Sequence, residues 1–175
     1  MKKLAIFFAA AVLCAGLTGC SDSQQAKEYD GKKAVQEVGD ALSIRLPAAE
    51  SAQYADTHGG FHGDGDTFAT IRFGEDSAAQ TTSLIEEQSW KPLPMTENLS
   101  LAIYGGEKDG ITYGGIEEMH EIPKAENGYY YFDNQSPDAK NSSDDAQLLA
   151  PQSTNMTAAL YDEDTKTLYF YALDT

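Results

Sequence analysis

The ten residues His58–Thr67, HGGFHGDGDT, gather the side-chain types in this chain best able to do chemistry. Two imidazoles four positions apart chelate a metal ion when both lie on one face of a helix. Gly59, Gly60 and Gly63 argue against a helix here. In an extended chain, His58 and His62 share a face with Gly60 and Asp64, and two imidazoles with a carboxylate are a set that zinc accepts. His58, His62 and Asp64 are therefore the candidate metal ligands, zinc the candidate cofactor, and metal-dependent hydrolysis the reaction such a site would support. His120 could complete the set, but nothing in the sequence requires it to come near. The favoured reading is structural. Gly63-Asp64-Gly65 turns the chain, with Gly63 or Gly65 at positive φ, and the histidines hold the turn through side-chain hydrogen bonds to backbone groups. On that reading the stretch has no cofactor and no catalytic residue.

Other chemistries fail on spacing. A calcium loop begun at Asp64 has Phe68 at its fifth position, and one begun at Asp162 has Lys166 there and Leu173 at the twelfth. Neither the G-x-S-x-G of serine hydrolases nor a phosphate-binding G-x-x-x-x-G-K-[ST] occurs. Paired carboxylates for glycoside hydrolysis cannot be singled out among 28 acidic residues. Tyr129, Tyr130, Tyr131, Tyr169 and Tyr171 would suit sugar stacking, but aromatic cross-strand pairing explains them as well and is favoured.

The elements that must position these residues follow from periodicity. Ala34, Val35, Val38, Ala41 and Leu42 recur at helical spacing despite Gly39, and Pro47 ends whatever precedes it. Thr67–Phe73 alternates, with Ala69, Ile71 and Phe73 on one face and Phe68, Thr70 and Arg72 on the other, which predicts a strand. Glu75–Gln88 reads as a second helix with Asp76 as its N-cap. The prolines of Lys91–Pro94 force an extended connector. Thr96–Tyr104 fits either a short helix capped by Thr96 or a strand with Leu99, Leu101 and Ile103 on one side. Gly128–Asn134 is an aromatic strand, and Ser136–Gln147 a polar loop without core residues, expected to be mobile. Asn155–Tyr161 and Thr167–Leu173 flank Asp162–Lys166 as a β-hairpin. The sum is a single α+β domain, an antiparallel sheet with one or two helices on one face.

The N-terminus carries an address. Lys2 and Lys3 precede the apolar run Leu4–Leu13, which at ten residues is half of the about 20 that span a bilayer. A basic start, a short apolar middle and small residues before a break describe a secretory signal peptide. The break, Leu17-Thr18-Gly19-Cys20, resembles the lipobox of bacterial lipoproteins. That resemblance implies cleavage after Gly19 and a diacylglyceryl thioether on Cys20, whose fatty acyl chains, palmitate among them, would anchor the chain to the cell membrane on its extracytoplasmic side. The divisions expected are a signal peptide over 1–19, a lipidated cysteine and flexible tether over 20–31, and the α+β domain over 32–175. Cys14 leaves with the signal and Cys20 is lipidated, so thiolate catalysis, thiolate metal sites and disulfides are all excluded from the mature chain.

The stretch HGGFHGDG before a strand, with a tryptophan-proline segment after it, also resembles small uncharacterised proteins of Gram-positive bacteria. The likeness spans Asp56–Pro94 and part of the C-terminal hairpin. It implies a shared domain and no chemistry.

Charge narrows the partners. Without Lys2 and Lys3, ten of the 12 basic residues remain against 28 acidic ones, a formal charge of −18 in place of −16. Such a surface repels nucleic-acid phosphates and anionic head groups, so no nucleic-acid partner is expected and the membrane is met through the lipid anchor only. The expectation is an envelope lipoprotein that serves as a binding or interaction module for a protein or small-molecule ligand, rather than an enzyme. The alternatives are the metal-dependent hydrolase on His58, His62 and Asp64, and an acidic inhibitor of a cationic secreted enzyme.

Overall fold

The computed structural model describes residues 27–59, 64–116, 119–137, 139–146, 148–149 and 155–175, and for 27–30 the backbone alone. In chain order the elements are β1 (Lys27–Asp30), α1 (Gly31–Ala41), β2 (Ser51–Asp56), β3 (Gly65–Arg72), α2 (Glu75–Glu86), β4 (Lys91–Pro92) and α3 (Glu97–Tyr104). Then follow β5 (Gly106–Lys108), β6 (Ile111–Tyr113), β7 (Gly128–Asn134), β8 (Met156–Asp162) and β9 (Thr167–Asp174). Seven strands form one antiparallel sheet in the order β1-β2-β3-β9-β8-β7-β4, and β5 and β6 pair as a separate hairpin. This is the α+β fold with an antiparallel sheet that the pattern predicts.

Strand alternation builds two cores, one on each side of the sheet. Ala69 and Ile71 of β3, Ala159 and Tyr161 of β8, and Leu168 and Phe170 of β9 pack with Ala34 and Val38 of α1, Ala78 and Ile85 of α2, and Trp90. The neighbouring positions of opposite parity, Met156, Leu160, Tyr130 and Tyr171, pack with Leu99 and Ile103 of α3 and with Ile116, Ile122 and Leu148. The sequence places one or two helices on one face; α1 and α2 take that face and a third helix covers the other. Thr96 decides the ambiguous segment. Its hydroxyl accepts from the Leu99 N–H at 3.3 Å, capping α3, so the helical alternative wins over the strand.

Other boundaries shift for local reasons. β1 pairs with β2 from Lys27↔Asp56 to Asp30↔Gln53, so the sheet takes up four residues assigned above to the tether. The cap of α2 is Gly74 and not Asp76, with Glu75 and Asp76 lying in the first turn where the helix dipole favours acids. Gly39 lies within α1, and a close approach makes it a glycine: a β-carbon there would sit 2.7 Å from the Ile44 carbonyl as the chain folds back. The loop over 136–147 is fastened: the Asn134 N–H donates to the Ser142 carbonyl at 2.6 Å, and the Asn98 side chain to the Asp145 carbonyl at 3.1 Å. The β8–β9 hairpin forms as predicted, its turn held by the Asp162 carboxylate, which accepts from the Asp164 N–H at 2.9 Å and the Thr165 hydroxyl at 2.7 Å.

Candidate functional site

β2 and β3 meet with Asp56 opposite Thr67, and the chain between them carries the histidine stretch. Beyond that pair, the Thr57 N–H donates to the Asp66 carbonyl at 2.8 Å, and the Thr57 hydroxyl accepts from the Asp66 N–H at 2.8 Å while donating to the Asp66 carboxylate. His58 turns back on the strand it has just left. Its N–H and its ring Nδ1 both meet Asp56 Oδ1, at 2.9 and 2.7 Å, and Thr67 Oγ1 lies 3.4 Å from the same ring nitrogen. The partner of the His58 ring is thus a carboxylate, not the backbone group the turn reading predicts.

A second histidine arrives from far along the chain. Ile116 and Ile122, both buried in the α3-side core, hold the segment that carries His120, and the His120 N–H donates to the Ile116 carbonyl at 3.0 Å. The His120 ring stacks on Phe68 with centroids 4.3 Å apart and planes 13° off parallel, and it leans on Tyr171 at 5.7 Å. Its Nε2 meets Asp66 Oδ2 at 2.9 Å. Phe68 and Tyr171 are direct partners across β3 and β9, so the imidazole caps an aromatic cross-strand pair. Two His–Asp pairs, Asp56–His58 and Asp66–His120, therefore stand side by side at one end of the sheet, with all four side chains largely buried.

Electrostatics follow from this packing. Burial pushes the Asp66 carboxyl up, but the Thr57 hydroxyl, the His120 hydrogen bond and charge, and the nearby His58 outweigh it and hold the group below its ordinary 3.8. Burial, helped by the negative Asp66, pushes the Tyr171 hydroxyl up to about 12.

The arrangement differs from the predicted metal set in membership. His58 is present but engaged by Asp56, Asp64 is exposed, and His62 and Gly63 lie outside the described residues. Among the described residues, no group of three His, Cys, Asp or Glu side chains is placed to hold a metal ion. Gly65 is not at positive φ. A close approach makes it a glycine instead: a β-carbon there would lie 2.6 Å from the His58 Cα and 2.6 Å from its N. Asp66 and His120 are the residues that matter most here; sequence reasoning left Asp66 out and named His120 only as a possible addition to the ligand set. Parity was the available signal for Asp66, which shares a strand face with Phe68. Ile116 and Ile122 bracketing His120 were the signal that its segment is anchored.

The contacts of the cluster tie the His58 and His120 segments to β3. An acid–base relay needs the carboxylate on one imidazole nitrogen and the nucleophile on the other. Here Asp56 and Thr67 both face Nδ1 of His58. The five tyrosines behave as cross-strand or core residues, with Tyr129 opposite Tyr161, Tyr130 opposite Leu160 and Tyr171 opposite Phe68. Comparison of the chain with protein-family models, curated proteins and solved structures finds no match.

Proposed function

We propose that this chain is an extracytoplasmic lipoprotein, held to the cell membrane by acyl chains on Cys20, whose sheet domain is a binding module. The observation that carries the anchor is the Leu17–Cys20 motif behind a basic and apolar leader. Only six residues, Ser21–Ala26, separate Cys20 from the first strand at Lys27, so the domain sits close to its anchor. Supporting a binding role over catalysis, the residues best suited to chemistry are engaged in joining loops to the sheet. His58 closes the β2–β3 connection, and His120 fastens the segment after β6. The −18 charge of the mature chain keeps the body off anionic lipid, so the acyl chains do the tethering.

The test is Cys20→Ala. Without the thiol no thioether forms, and the variant should move from the detergent phase to the aqueous phase in detergent phase separation. Detergent partitioning at the wild-type level would overturn the anchor.

A further inference from the structure

The outer edge of β7 is covered only in part. β4 pairs with Tyr130 and Tyr129, and the Leu93 N–H donates to the Gly128 carbonyl at 3.0 Å. In an antiparallel ladder each residue turns its N–H and C=O to one side, and successive residues alternate. Gly128, Tyr130, Phe132 and Asn134 therefore turn their backbone N–H and C=O outward, while the odd-numbered positions turn theirs toward β8. At the far end the Asn134 N–H is taken by the Ser142 carbonyl at 2.6 Å. Between these covered positions lies Phe132, whose outward N–H and C=O have no partner among the described residues.

Continued past Lys91, the β4 register would bring Ser89 opposite Phe132, but the chain diverges and no bond forms. The gap is a cleft of about 400 Å³, bounded by Ser89, Trp90, Lys91, Phe132, Asp133 and Ser142. Trp90 supplies a second mark of incompleteness. It is 9% exposed, and its indole N–H is a buried donor with no partner among the described residues.

We propose that this cleft binds a short extended peptide by adding it as a strand to β7. Both free groups of Phe132 belong to one residue and point the same way, so one peptide residue offering an N–H and a C=O satisfies them together. The covered neighbours on either side set the length. Lys91 stands beside Tyr130, three positions from Asp133, or about 10 Å along a strand, which is the length of a tripeptide. An incoming strand antiparallel to β7 puts its N-terminal ammonium toward Asp133 and its C-terminal carboxylate toward Lys91. The ligand class is therefore a free tripeptide with small side chains.

This deepens the binding-module reading and rests on it. The chain has one tryptophan, and it lines the cleft, so its fluorescence reports on this site alone. The full lipidated chain in detergent is titrated with tri-alanine and with tri-alanine methylated on the central nitrogen. Tri-alanine should give a saturable change in Trp90 emission. The methylated peptide, which cannot donate to the Phe132 carbonyl, should bind at least about tenfold more weakly. Asp133→Lys should weaken the free peptide by a similar factor and leave N-acetylated tri-alanine unaffected. No response to tri-alanine, or equal responses to both peptides, would overturn the proposal. A chain that partitions into detergent yet ignores tri-alanine loses the peptide cleft and keeps the anchor, and the reverse result separates the two in the other direction.

Discussion

The two ends of this sheet treat polar groups in opposite ways. At the β2–β3 end, Asp56, His58, Asp66 and His120 pair with one another, and Thr57 serves Asp66 as both donor and acceptor. At the β7 edge, the backbone of Phe132 and the indole of Trp90 keep polar groups that meet nothing among the described residues. The first region is rich in histidine, aspartate and glycine and attracts a catalytic reading. The second is bounded by serines, aromatics, one lysine and one aspartate, and attracts none. Partnering is the better guide. A buried polar group that is satisfied holds the fold together, and one that is not leaves room for a ligand.

If the histidine end is a latch, breaking its closest contact should have the largest effect. Gly65→Ala forces a β-carbon into the His58 backbone, and the hairpin end must open to accommodate it. A loss of about 3 kcal/mol in denaturant unfolding is expected. Gly110→Ala is the comparison: it sits at φ 77° in the β5–β6 turn with open space around it, so only conformational strain of about 1 kcal/mol applies. Equal losses in the two variants would show that His58 does not rest on Gly65.

His120→Ala should follow, at about 2 kcal/mol, since it removes both the Phe68 stack and the Asp66 partner. His120→Phe keeps the stack and loses only the hydrogen bond, so it should recover about half of that loss. A variant no better than alanine would place the whole contribution on Asp66.

Acid titration sharpens the same end. The Asp66 carboxyl titrates below its ordinary 3.8 in the folded chain, so its contribution is fully present above about pH 4 and is lost as pH falls through the lower folded value. Asp66→Asn should therefore flatten the acid limb of the stability profile below about pH 4. Tyr171 works at the alkaline limit with the opposite sign. Unfolded, it ionises near 10; folded, it holds its proton to about 12, so stability falls as pH rises across that window. Tyr171→Phe should lose that part of the alkaline slope, followed by circular dichroism against pH. An unchanged slope would mean that the hydroxyl reaches water.

Much of the fold was legible because alternation and helical spacing act locally. Ala69, Ile71 and Phe73 against Phe68, and the β8–β9 hairpin around Asp162–Lys166, came directly from the pattern. What was missed depended on distant partners. β1 is short and polar and exists because β2 offers it an edge, and α3 was settled by one capping hydroxyl. The histidine end also depends on a distant partner. Extended spacing aligned Asp64 with His58, but β3 begins at Gly65, and Asp66 is the carboxylate carried on the sheet, beside a histidine 54 positions away. The Phe132 edge could not be seen in the sequence, because an unpaired backbone group is a property of the register and not of residue type.

The smallest expected effect decides the remaining chemistry at the histidine end. Saturating zinc should leave the melting temperature of the chain within about 1 °C of its metal-free value. Nδ1 of His58 already faces Asp56 at 2.7 Å with Thr67 beside it, His120 is tied to Asp66, and Asp64 is exposed. For zinc to use His58 through that nitrogen, the Asp56 bond must first break, which cancels part of what the metal adds. A site built from His58, His62 and Asp64 through the other ring nitrogen behaves differently. Zinc at a hundredfold excess over its Kd would then stabilise the fold by about 2.7 kcal/mol. For a domain of this size that is a rise in melting temperature of roughly 5–10 °C. His62→Ala makes the two cases distinct, because it removes one ligand of that set and leaves all four residues of the His–Asp pairs in place. A zinc-dependent rise that disappears in His62→Ala would turn the latch into a metal centre and restore hydrolysis as the reading to pursue.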